Sequence, residues 1–471
     1  MDGLECSEVA KTTLERTFRI DSEFYKKESL KVLELISKHP NDSLTKCVNV
    51  SDGNHMSISD KFTNAGIPYY RGQDIRSFFI ENSSPICIDE KSYVSPYMER
   101  SHLRRGDVLL SIVGTIGSLA LVYSDNKATC SCKLAILRPK NNVNGEIISM
   151  FLQSKYGQNQ IKKFTRGAVQ MGLILEDMEQ IRVPKFGMPF QNMVKAVVLE
   201  AFNNDKSSKK VYAGAKCLLK KLLNLNFDDF AVTHNNISTQ TYLKSFANSN
   251  RLDAEYYQPK YDELFKQLEN LKTYKLGDII NIKKSIEPGS AEYRSVGIPF
   301  IRVSDLSEFG ISETQVYLDR IPYAYMGLQP KKNTILFSKD GSVGIAYKTE
   351  DDLDIITSSA ILHLEIKTEL FLPDYLTLVL NSLIVKMQAE RDSGGSIIQH
   401  WKPSEIENVT IPWLPMDRQK KIADKIQESF SLRKHSNELL ERAKTAVEMA
   451  IEQGEETALG WLLEMDKNQC D

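Results

Sequence analysis

An internal duplication constrains this chain more than any other feature of its sequence. The decapeptide GIPYYRGQDI at residues 66–75 returns as GIPFIRVSDL at residues 297–306, an offset of 231. Three more blocks recur in the same order and at nearly the same spacing: RIDSEFY (19–25) with RLDAEYY (251–257), GTIG (114–117) with GSVG (341–344), and RGAVQMGLILEDMEQIRVP (166–184) with GGSIIQHWKPSEIENVTIP (394–412). The chain is therefore expected to fold as two copies of one unit.

Length and composition are those of an ordinary globular protein. The chain has 471 residues, of which 41% are hydrophobic and 26% charged. Two units of about 220 residues are each long enough to bury a core. No apolar run of about 18 residues and no apolar signal region are seen, which predicts a soluble, cytoplasmic chain. The cysteines number seven, six of them in the first half, and we expect reduced thiols.

The distribution of charge is more informative than the net charge of −2. Residues 185–221 carry eight lysines against Glu200 and Asp205, a local net charge of +6, whereas residues 415–456 carry eight bases against nine acids. Residues 155–170 have four bases and no acid. A polyanion such as DNA would therefore meet basic stretches on parts of the surface only. The alternative is that these stretches are ordinary solvent-exposed helix faces.

The apolar pattern predicts strands around the paired glycines, a helix over 147–164 and another over 373–391, and a long helix at the end of each half. In the long helices the apolar residues follow a 3–4 spacing, which predicts that they pair with each other. The alternative is that each packs only on its own domain. The residues of this predicted helix-pair and partner interface are Val194, Val197, Ala201, Val211, Leu218, Leu222, Ile422, Ile426, Leu440, Ala443 and Val447.

With these blocks in order, the chain resembles the specificity subunit of a type I restriction-modification enzyme. The resemblance is carried by the four duplicated blocks and by the helix starts PFQNMVKAVV and PMDRQKKIADKI, and it covers nearly the whole chain. It implies a mixed α/β (α+β) fold with two duplicated target-recognition domains and two long helices packed as an antiparallel coiled coil, with pseudo-twofold symmetry. The domain boundaries expected are 1–188 (first recognition domain), 189–225 (first spacer helix), 226–414 (second recognition domain with its lead-in), 415–456 (second spacer helix) and 457–471 (C-terminal tail).

The resemblance also implies a function. Such a subunit is a noncatalytic protein that reads a bipartite, asymmetric site in double-stranded DNA. It binds two methyltransferase subunits and, through them, restriction subunits. S-adenosylmethionine, ATP and Mg²⁺ would belong to those partners, with no cofactor, metal or membrane contact in this chain. The alternatives are a modification-only system, a duplicated protein-interaction scaffold, and a nuclease built on Asp354, Glu365 and Lys367.

Candidate DNA contacts are polar or basic side chains in loops next to the expected strands. Arg71 corresponds to Arg302, and Lys163 to Arg391, so each pair is expected to share a structural or phosphate-binding role. Residues that differ between the halves are better candidates for reading bases. The full set of candidates is Arg71, Gln73, Arg76, Thr115, Lys163, Arg166, Gln170, Arg302, Ser304, Lys339, Ser342, Arg391, Gln399, His400 and Lys402.

Several patterns favour structure over chemistry. The acids of the RIDSEFY and RLDAEYY blocks are interpreted as anchors of each domain start, not as catalytic dyads. The GTIG and GSVG segments lack the longer phosphate-binding pattern and predict tight turns. Trp401 and Trp413 are expected in the core or at a domain edge. No pair of histidines or cysteines has the spacing of a structural zinc site.

Overall fold

The computed structural model describes residues 5–17, 19–75, 77–80, 85–140, 142–167, 171–225, 251, 253–393 and 399–467. The chain divides into two compact units. The first contains residues 1–205 and 434–471, and the second contains residues 206–433. The division falls inside both long helices, so each unit contains a part of each.

The helices are short within the globular bodies and long at the ends of the two halves. They are α1 Lys11–Thr17, α2 Lys27–Ser37, α3 Leu44–Cys47, α4 Glu90–Tyr93, α5 Gly145–Gln153, α6 Lys155–Phe164, α7 Met188–Leu223, α8 Pro259–Glu269, α9 Leu276–Ile279, α10 Arg320–Tyr323, α11 Pro373–Leu380, α12 Leu383–Asp392, α13 Pro403–Glu407, α14 Met416–Gln453 and α15 Glu455–Lys467. Short 3₁₀ helices cover Ser22–Tyr25, Ser59–Lys61, Gly72–Asp74, Pro96–Ser101, Leu175–Gln180, Ala254–Tyr257, Ser290–Glu292 and Val303–Asp305.

The strands are also short. In the first unit they are β1 Asn41–Ser43, β2 Val48–Asp52, β3 Phe62–Thr63, β4 Ile67–Tyr70, β5 Cys87–Ile88, β6 Val108–Ser111, β7 Leu119–Leu121, β8 Thr129–Cys130, β9 Leu134–Pro139 and β10 Arg182–Pro184. In the second unit they are β11 Thr273–Lys275, β12 Ile280–Lys284, β13 Ile298–Ile301, β14 Leu306–Ser307, β15 Gly310–Ile311, β16 Tyr317–Leu318, β17 Ile335–Ser338, β18 Ala346–Lys348, β19 Ile356–Thr357, β20 Ile361–Ile366 and β21 Thr410–Pro412.

The two units share most of their sheet topology, although the second sheet has four strands in the first unit (β3-β5-β4-β8) and three in the second (β16-β13-β19), which also has the pair β14-β15. Each has a four-stranded antiparallel sheet, in the order β2-β9-β6-β7 in the first and β12-β20-β17-β18 in the second. Each has a second sheet containing one parallel pair, β4 with β8 and β13 with β19. Each also has a two-stranded antiparallel sheet, formed by β1 with β10 in the first unit and by β11 with β21 in the second. The duplication and the mixed α/β fold expected from the sequence are confirmed.

The repeated block at the start of each unit is a structural clamp. Arg19 pairs with Asp21 through two hydrogen bonds of 2.8 and 2.9 Å, and its guanidinium lies 4.5 Å from the centre of the Phe24 ring. Arg251 pairs with Asp253 in the same way, at 2.6 and 2.7 Å. In each case the arginine lowers the pKa of the aspartate. The interpretation as anchors is confirmed for Asp21 and Asp253, because each of these carboxylates is held by its own arginine, whereas Glu23 pairs with Lys26 and Glu255 accepts from Gln258.

The helix predicted over 147–164 is two helices, and so is the one predicted over 373–391. The side chain of Ser154 caps α6 at the Gly157 backbone nitrogen, at 3.3 Å, and a β-carbon on Gly157 would lie 2.2 Å from the Phe151 carbonyl oxygen. In the second unit the Asn381 amide, between α11 and α12, exchanges hydrogen bonds with the Ala346 backbone at 3.0 and 2.7 Å. These local contacts end the helices early, and the apolar spacing does not reveal them.

The long helices α7 and α14 pack antiparallel against each other, as expected of a coiled coil. In the first unit Ser436 donates a 2.7 Å hydrogen bond to the Ala201 carbonyl oxygen. In the second unit the Ser429 hydroxyl donates to the Ser208 carbonyl oxygen at 2.9 Å. In each unit the two helices are thus joined by buried serines that are hydrogen-bonded across the pair. Buried hydrogen bonds of this kind help to set helix register.

Most of the predicted seam residues are buried, with one shift. Val194, Val197, Ala201, Ile422 and Ile426 are each at most 4% exposed, and Ala443 and Val447 are fully buried. Leu440, Val211, Leu218 and Leu222 are only half-buried. In the second half of α7 the large side chains that are buried are instead Tyr212, Leu219 and Leu223. The buried face is displaced by one residue because this part of α7 also packs on the globular body, where Tyr212 contacts Phe309 at 4.8 Å.

The C-terminal tail expected from residue 457 is mostly helical. Helix α15 starts at Glu455, after Gly454. The Glu455 carboxylate accepts hydrogen bonds of 3.0 and 2.9 Å from the Gly187 backbone nitrogen, next to the start of α7. Ala458 and Leu462 are fully buried in the core of the first unit. The tail therefore helps to close that unit.

The six cysteines in the described part of the chain are free thiols, as expected. Trp401 is 1% exposed and contacts Phe337, so it belongs to the core. The indole nitrogen of Trp413 donates to the Leu370 carbonyl oxygen at 3.2 Å at the edge of the body. None of the helices in the described ranges combines the length and the apolar character that a membrane crossing requires.

The second unit is expected to lose stability in mild acid because of His363. This side chain is 5% exposed, lies within 2.8 Å of the Thr357 hydroxyl, and has its pKa lowered by burial to about 4. In the unfolded chain the imidazole of His363 has its ordinary pKa near 6.5. Between pH 6.5 and about 4 this imidazole is therefore protonated only in the unfolded state, so the free energy of unfolding decreases as the pH falls. We expect a loss of about 2–3 kcal/mol in the free energy of unfolding near pH 4. Urea titrations across this range should show that His363→Gln removes this contribution; an unchanged pH dependence would contradict it.

Candidate nucleic-acid interface

One sheet edge in the first unit gathers the polar loops. Strands β4 and β8 are parallel, so both end at the same edge, and the Ser131 nitrogen after β8 donates to the Tyr70 carbonyl oxygen at 2.9 Å. Asn54, after β2, bridges to Ser131. Its amide makes hydrogen bonds of 2.8 and 3.0 Å with the Met56 backbone, and this turn presents His55 to solvent.

The glycine turn predicted from GTIG joins the same edge. Gly114 and Gly117 both have positive φ and lie between β6 and β7, which confirms the tight turn. Thr115 in this turn lies 3.5 Å from the Gly72 carbonyl oxygen, and the Ile112 nitrogen donates to the Lys133 carbonyl oxygen at 3.0 Å. Four exposed side chains, which we call the first rim, line a single cleft of about 720 Å³: His55, Gln73, Thr115 and Lys133.

The second unit builds the same edge from corresponding strands. The Ser358 nitrogen after β19 donates to the Ile301 carbonyl oxygen at 2.8 Å, and Ile286 bridges to Ser358 as Asn54 does to Ser131. The Lys339 nitrogen donates to the Ala360 carbonyl oxygen at 2.9 Å, as Ile112 does to Lys133. The positions that correspond to the first rim, which we call the second rim, are Glu287, Ser304, Ser342 and Ala360.

Arg71 and Arg302 have the same surroundings in the two units. Each begins a short 3₁₀ turn, and its backbone nitrogen is bonded to an aspartate three residues later, Asp74 at 2.8 Å and Asp305 at 3.0 Å. The guanidinium nitrogens lie 3.4 and 3.5 Å from the same carboxylates. Both side chains remain about a third or more exposed. The expected correspondence is present, with the arginines held by the frame and still reachable from solvent.

Lys163 is not a surface residue, which corrects its place among the DNA contacts. It is 5% exposed, donates to the Phe24 carbonyl oxygen, and lies 3.7 Å from the centre of the Phe24 ring. Burial lowers its pKa to about 8. Arg391 has a corresponding place in the second unit, where its guanidinium lies 5.1 Å from the ring centre of Tyr256 in the domain start and 2.7 Å from Asp392. Both cations hold the domain start against the body, which is the structural alternative foreseen for the pair.

The other described candidates lie on separate loops, Arg166 in the first unit and the rest in the second. Arg166 is held by the buried Asp177. Lys339 pairs with Asp340, which lies 2.9 Å from His400, and Lys402 pairs with Glu405 at 3.4 Å. Gln399 is exposed, and its carbonyl oxygen accepts from the Gly341 nitrogen at 2.9 Å. Arg76 and Gln170 lie outside the described residues.

The three residues of the alternative nuclease reading do not form one site. Asp354 pairs with Arg320 at 2.5 Å, Glu365 pairs with Lys283 at 2.6 Å, and the Lys367 ammonium donates to the Gly277 carbonyl oxygen at 2.6 Å. Within the described ranges, acids, histidines and cysteines form no group of three or more that could hold a metal ion. Each residue is accounted for by a local structural contact.

Sequence reasoning missed four rim positions: His55, Lys133, Glu287 and Ala360. Residues 54–65 and 286–296 have no visible sequence similarity, so the duplicated blocks did not extend to them. A signal was available in the spacing, because His55 precedes GIPYY and Glu287 precedes GIPFI by nearly the same number of residues. Only the strand pairing shows that they reach the same edge as Gln73 and Ser304.

Comparison with known proteins identifies the domain type. Residues 269–443 match the family model of the type I restriction modification DNA specificity domain. Among solved structures, the chain is similar to the S subunit of a type I restriction-modification system from M. genitalium, with 13% identity over 90% of this chain and 95% of that chain and a TM-score of 0.35. It is also similar to the HsdS subunit from Thermoanaerobacter tengcongensis, with 15% identity over 88% of this chain and 97% of that chain and a TM-score of 0.30.

The family model matches mainly the second half of the chain, and the first half repeats its framework. The clamp, the four-stranded sheet, the parallel strand pair and the glycine turn all occur in both units. The first half therefore carries a second copy of the fold that the family model recognises. On these grounds residues 269–443 are identified as a match to the type I restriction modification DNA specificity domain, and the chain as a whole is similar to subunits that carry this domain.

Proposed function

We propose that this chain is a noncatalytic recognition subunit that reads a bipartite, asymmetric DNA site, one part with each rim. The proposal is carried by the contrast between the backbone framework of the two rims, which is the same in both units, and their side chains, which are not. The backbone bonds that build the two rims correspond, whereas the side chains at all four positions differ: His55 with Glu287, Gln73 with Ser304, Thr115 with Ser342, and Lys133 with Ala360. One frame with two sets of donors and acceptors suits the reading of two different base sequences.

The arginines beside the rims support a division of roles. Arg71 and Arg302 are the same residue in the same turn, so a sequence-independent phosphate contact suits them better than a base contact. Their pairing with aspartates leaves them partly exposed. The rim side chains, which differ, would then distinguish the bases from the major groove, where each base pair presents a distinct pattern.

The long helices would serve as the spacer and as the docking surface for partners. We propose two methyltransferase subunits as these partners, with restriction subunits bound through them. S-adenosylmethionine, ATP and Mg²⁺ would be bound by those subunits, in the cytoplasm. The base to be modified would leave the DNA stack to enter the partner's site.

Co-expression with a type I methyltransferase subunit tests the proposal. Methylated adenines are mapped across the host genome with and without the chain, and we expect a bipartite motif that is present only with it. Unchanged methylation without the chain would reject the recognition role. Retained methylation with no DNA cleavage would point to a modification-only system. Partner binding without any salt-sensitive DNA affinity would favour a protein-interaction scaffold.

A pair of lysine variants separates exposed from buried charge. Lys133→Met removes an exposed rim cation, and we expect the slope of log affinity against log salt to become less steep by roughly one unit. Lys163→Met removes a buried cation bonded to the Phe24 carbonyl. It should lower stability and leave the slope of DNA binding unchanged. Fluorescence anisotropy at several salt concentrations measures both slopes; a flatter slope for Lys163→Met would contradict the corrected placement.

A further inference from the structure

The second rim carries an exposed carboxylate where a DNA-binding surface would be expected to carry a cation or a neutral donor. Glu287 follows β12 and is exposed. The Ser359 hydroxyl donates a 2.9 Å hydrogen bond to its Oε2. In the described part of the chain no lysine, arginine or histidine forms an ion pair with Glu287. The charge of this side chain is thus held in one place without being neutralised.

The position of Glu287 in the frame is well defined. Ile286 bridges to Ser358 in parallel register, as Asn54 bridges to Ser131. Glu287 directly follows Ile286 in the second unit. His55 directly follows Asn54 in the first unit and lines its cleft. Ser359 follows Ser358, so the hydroxyl that holds the carboxylate comes from the strand end that also meets Ile301. Glu287 therefore stands at the same edge as Ser304.

Electrostatics decides what such a side chain can contact. Phosphates repel a carboxylate, so it gains nothing from the DNA backbone. In the major groove the hydrogen-bond donors of the bases are the exocyclic amino groups of cytosine and adenine, and glutamate is suited to accept from cytosine N4. A carboxylate with one oxygen engaged by a serine can still accept further hydrogen bonds.

We propose that Glu287 is a specificity-determining residue of the second unit, which selects a base with an exocyclic amino group, cytosine foremost, and that Ser359 positions it. The assignment rests on the proposed function. It predicts that the two units reject wrong bases differently at corresponding positions. When the amino group of the base is replaced by a carbonyl, as in thymine or guanine, the Glu287 carboxylate loses its hydrogen bond and is repelled by the carbonyl oxygen.

The test uses the full chain with its methyltransferase partner and a duplex carrying the methylation motif mapped for the wild type. Competition binding compares all four bases at each position of the half-site read by the second unit. Glu287→Gln removes the charge and keeps the shape. We expect the preference at one position to fall by about tenfold or more, with the other positions unchanged. Ser359→Ala should reduce the preference at that same position by a smaller factor.

Glu269→Gln provides the matched control, because it removes the same charge from the end of α8, before β11 and away from the rim. It should leave every base preference as in the wild type. Unchanged preferences with Glu287→Gln, even if all DNA binds more tightly, would overturn the assignment of Glu287. If the wild-type chain directs no methylation to any bipartite motif, the proposed function itself fails, and the two failures are distinguishable.

Discussion

Replacing the second rim with the side chains of the first is expected to abolish recognition of one half-site while the other half-site is still read. The variant combines Glu287→His, Ser304→Gln, Ser342→Thr and Ala360→Lys, all on exposed positions or at the edge of the sheet. Because a good base contact contributes about 1–3 kcal/mol of discrimination, losing several should lower affinity for the original half-site at least about 100-fold. The surrounding backbone bonds correspond in the two units, so the fold should tolerate the exchange.

The reciprocal exchange is the control. This variant combines His55→Glu, Gln73→Ser, Thr115→Ser and Lys133→Ala. It should alter the half-site read by the first rim and leave the half-site read by the second rim intact. Mapping of methylated adenines with each variant reads both half-sites in one experiment, and circular dichroism confirms that both variants are folded. Loss of both half-sites in either variant, or an unchanged motif in both, would contradict a separate reading by each rim.

Gly297→Ala is expected to cause the largest loss of stability of any single substitution considered for this chain. Gly297 has φ of +146°, and a β-carbon there would lie 2.0 Å from the Leu318 carbonyl oxygen. Leu318 pairs with Ile298 in the next position, so the strands cannot separate without breaking β13 from β16. Backbone strain of about 1–3 kcal/mol adds to the cost of overpacking, and we expect a total of roughly 3–5 kcal/mol.

Gly310→Ala separates strain from collision. Gly310 has φ of +140°, close to that of Gly297, but a β-carbon there would have no neighbour within 4 Å. We therefore expect only the strain cost of about 1–3 kcal/mol. Chemical denaturation gives both free energies of unfolding. Equal losses for the two variants would show that the contact with Leu318 relaxes at no cost, and the explanation for Gly297 would be wrong.

Gly66 shows why this glycine could be recognised in the sequence. It begins the first copy of the decapeptide, has φ of +142°, and would place a β-carbon 2.5 Å from the Ile88 carbonyl oxygen. Both copies of the decapeptide need a positive φ at this position and have no room for a β-carbon, so both have glycine. The aspartates that bond Arg71 and Arg302 are likewise present in both copies because the turn is the same. Local geometry of this kind depends on a few neighbouring residues, so sequence comparison within the chain detects it.

The sequence by itself determined the duplication, the strands around the glycine turns, the pairing of the long helices and the clamp at each domain start. These features depend on contacts within a few residues or on a long apolar repeat. The helix breaks at Ser154 and Asn381, the burial of Lys163 and the membership of the two rims were decided only by the tertiary structure. His55, Gln73, Thr115 and Lys133 come from four separate segments, and they meet because β4 and β8 are parallel and end at one edge. Contacts between distant segments leave no local pattern, and the exposure of a cation depends on what packs around it, which is why Lys163 and Lys133 look alike in the sequence and differ in the fold.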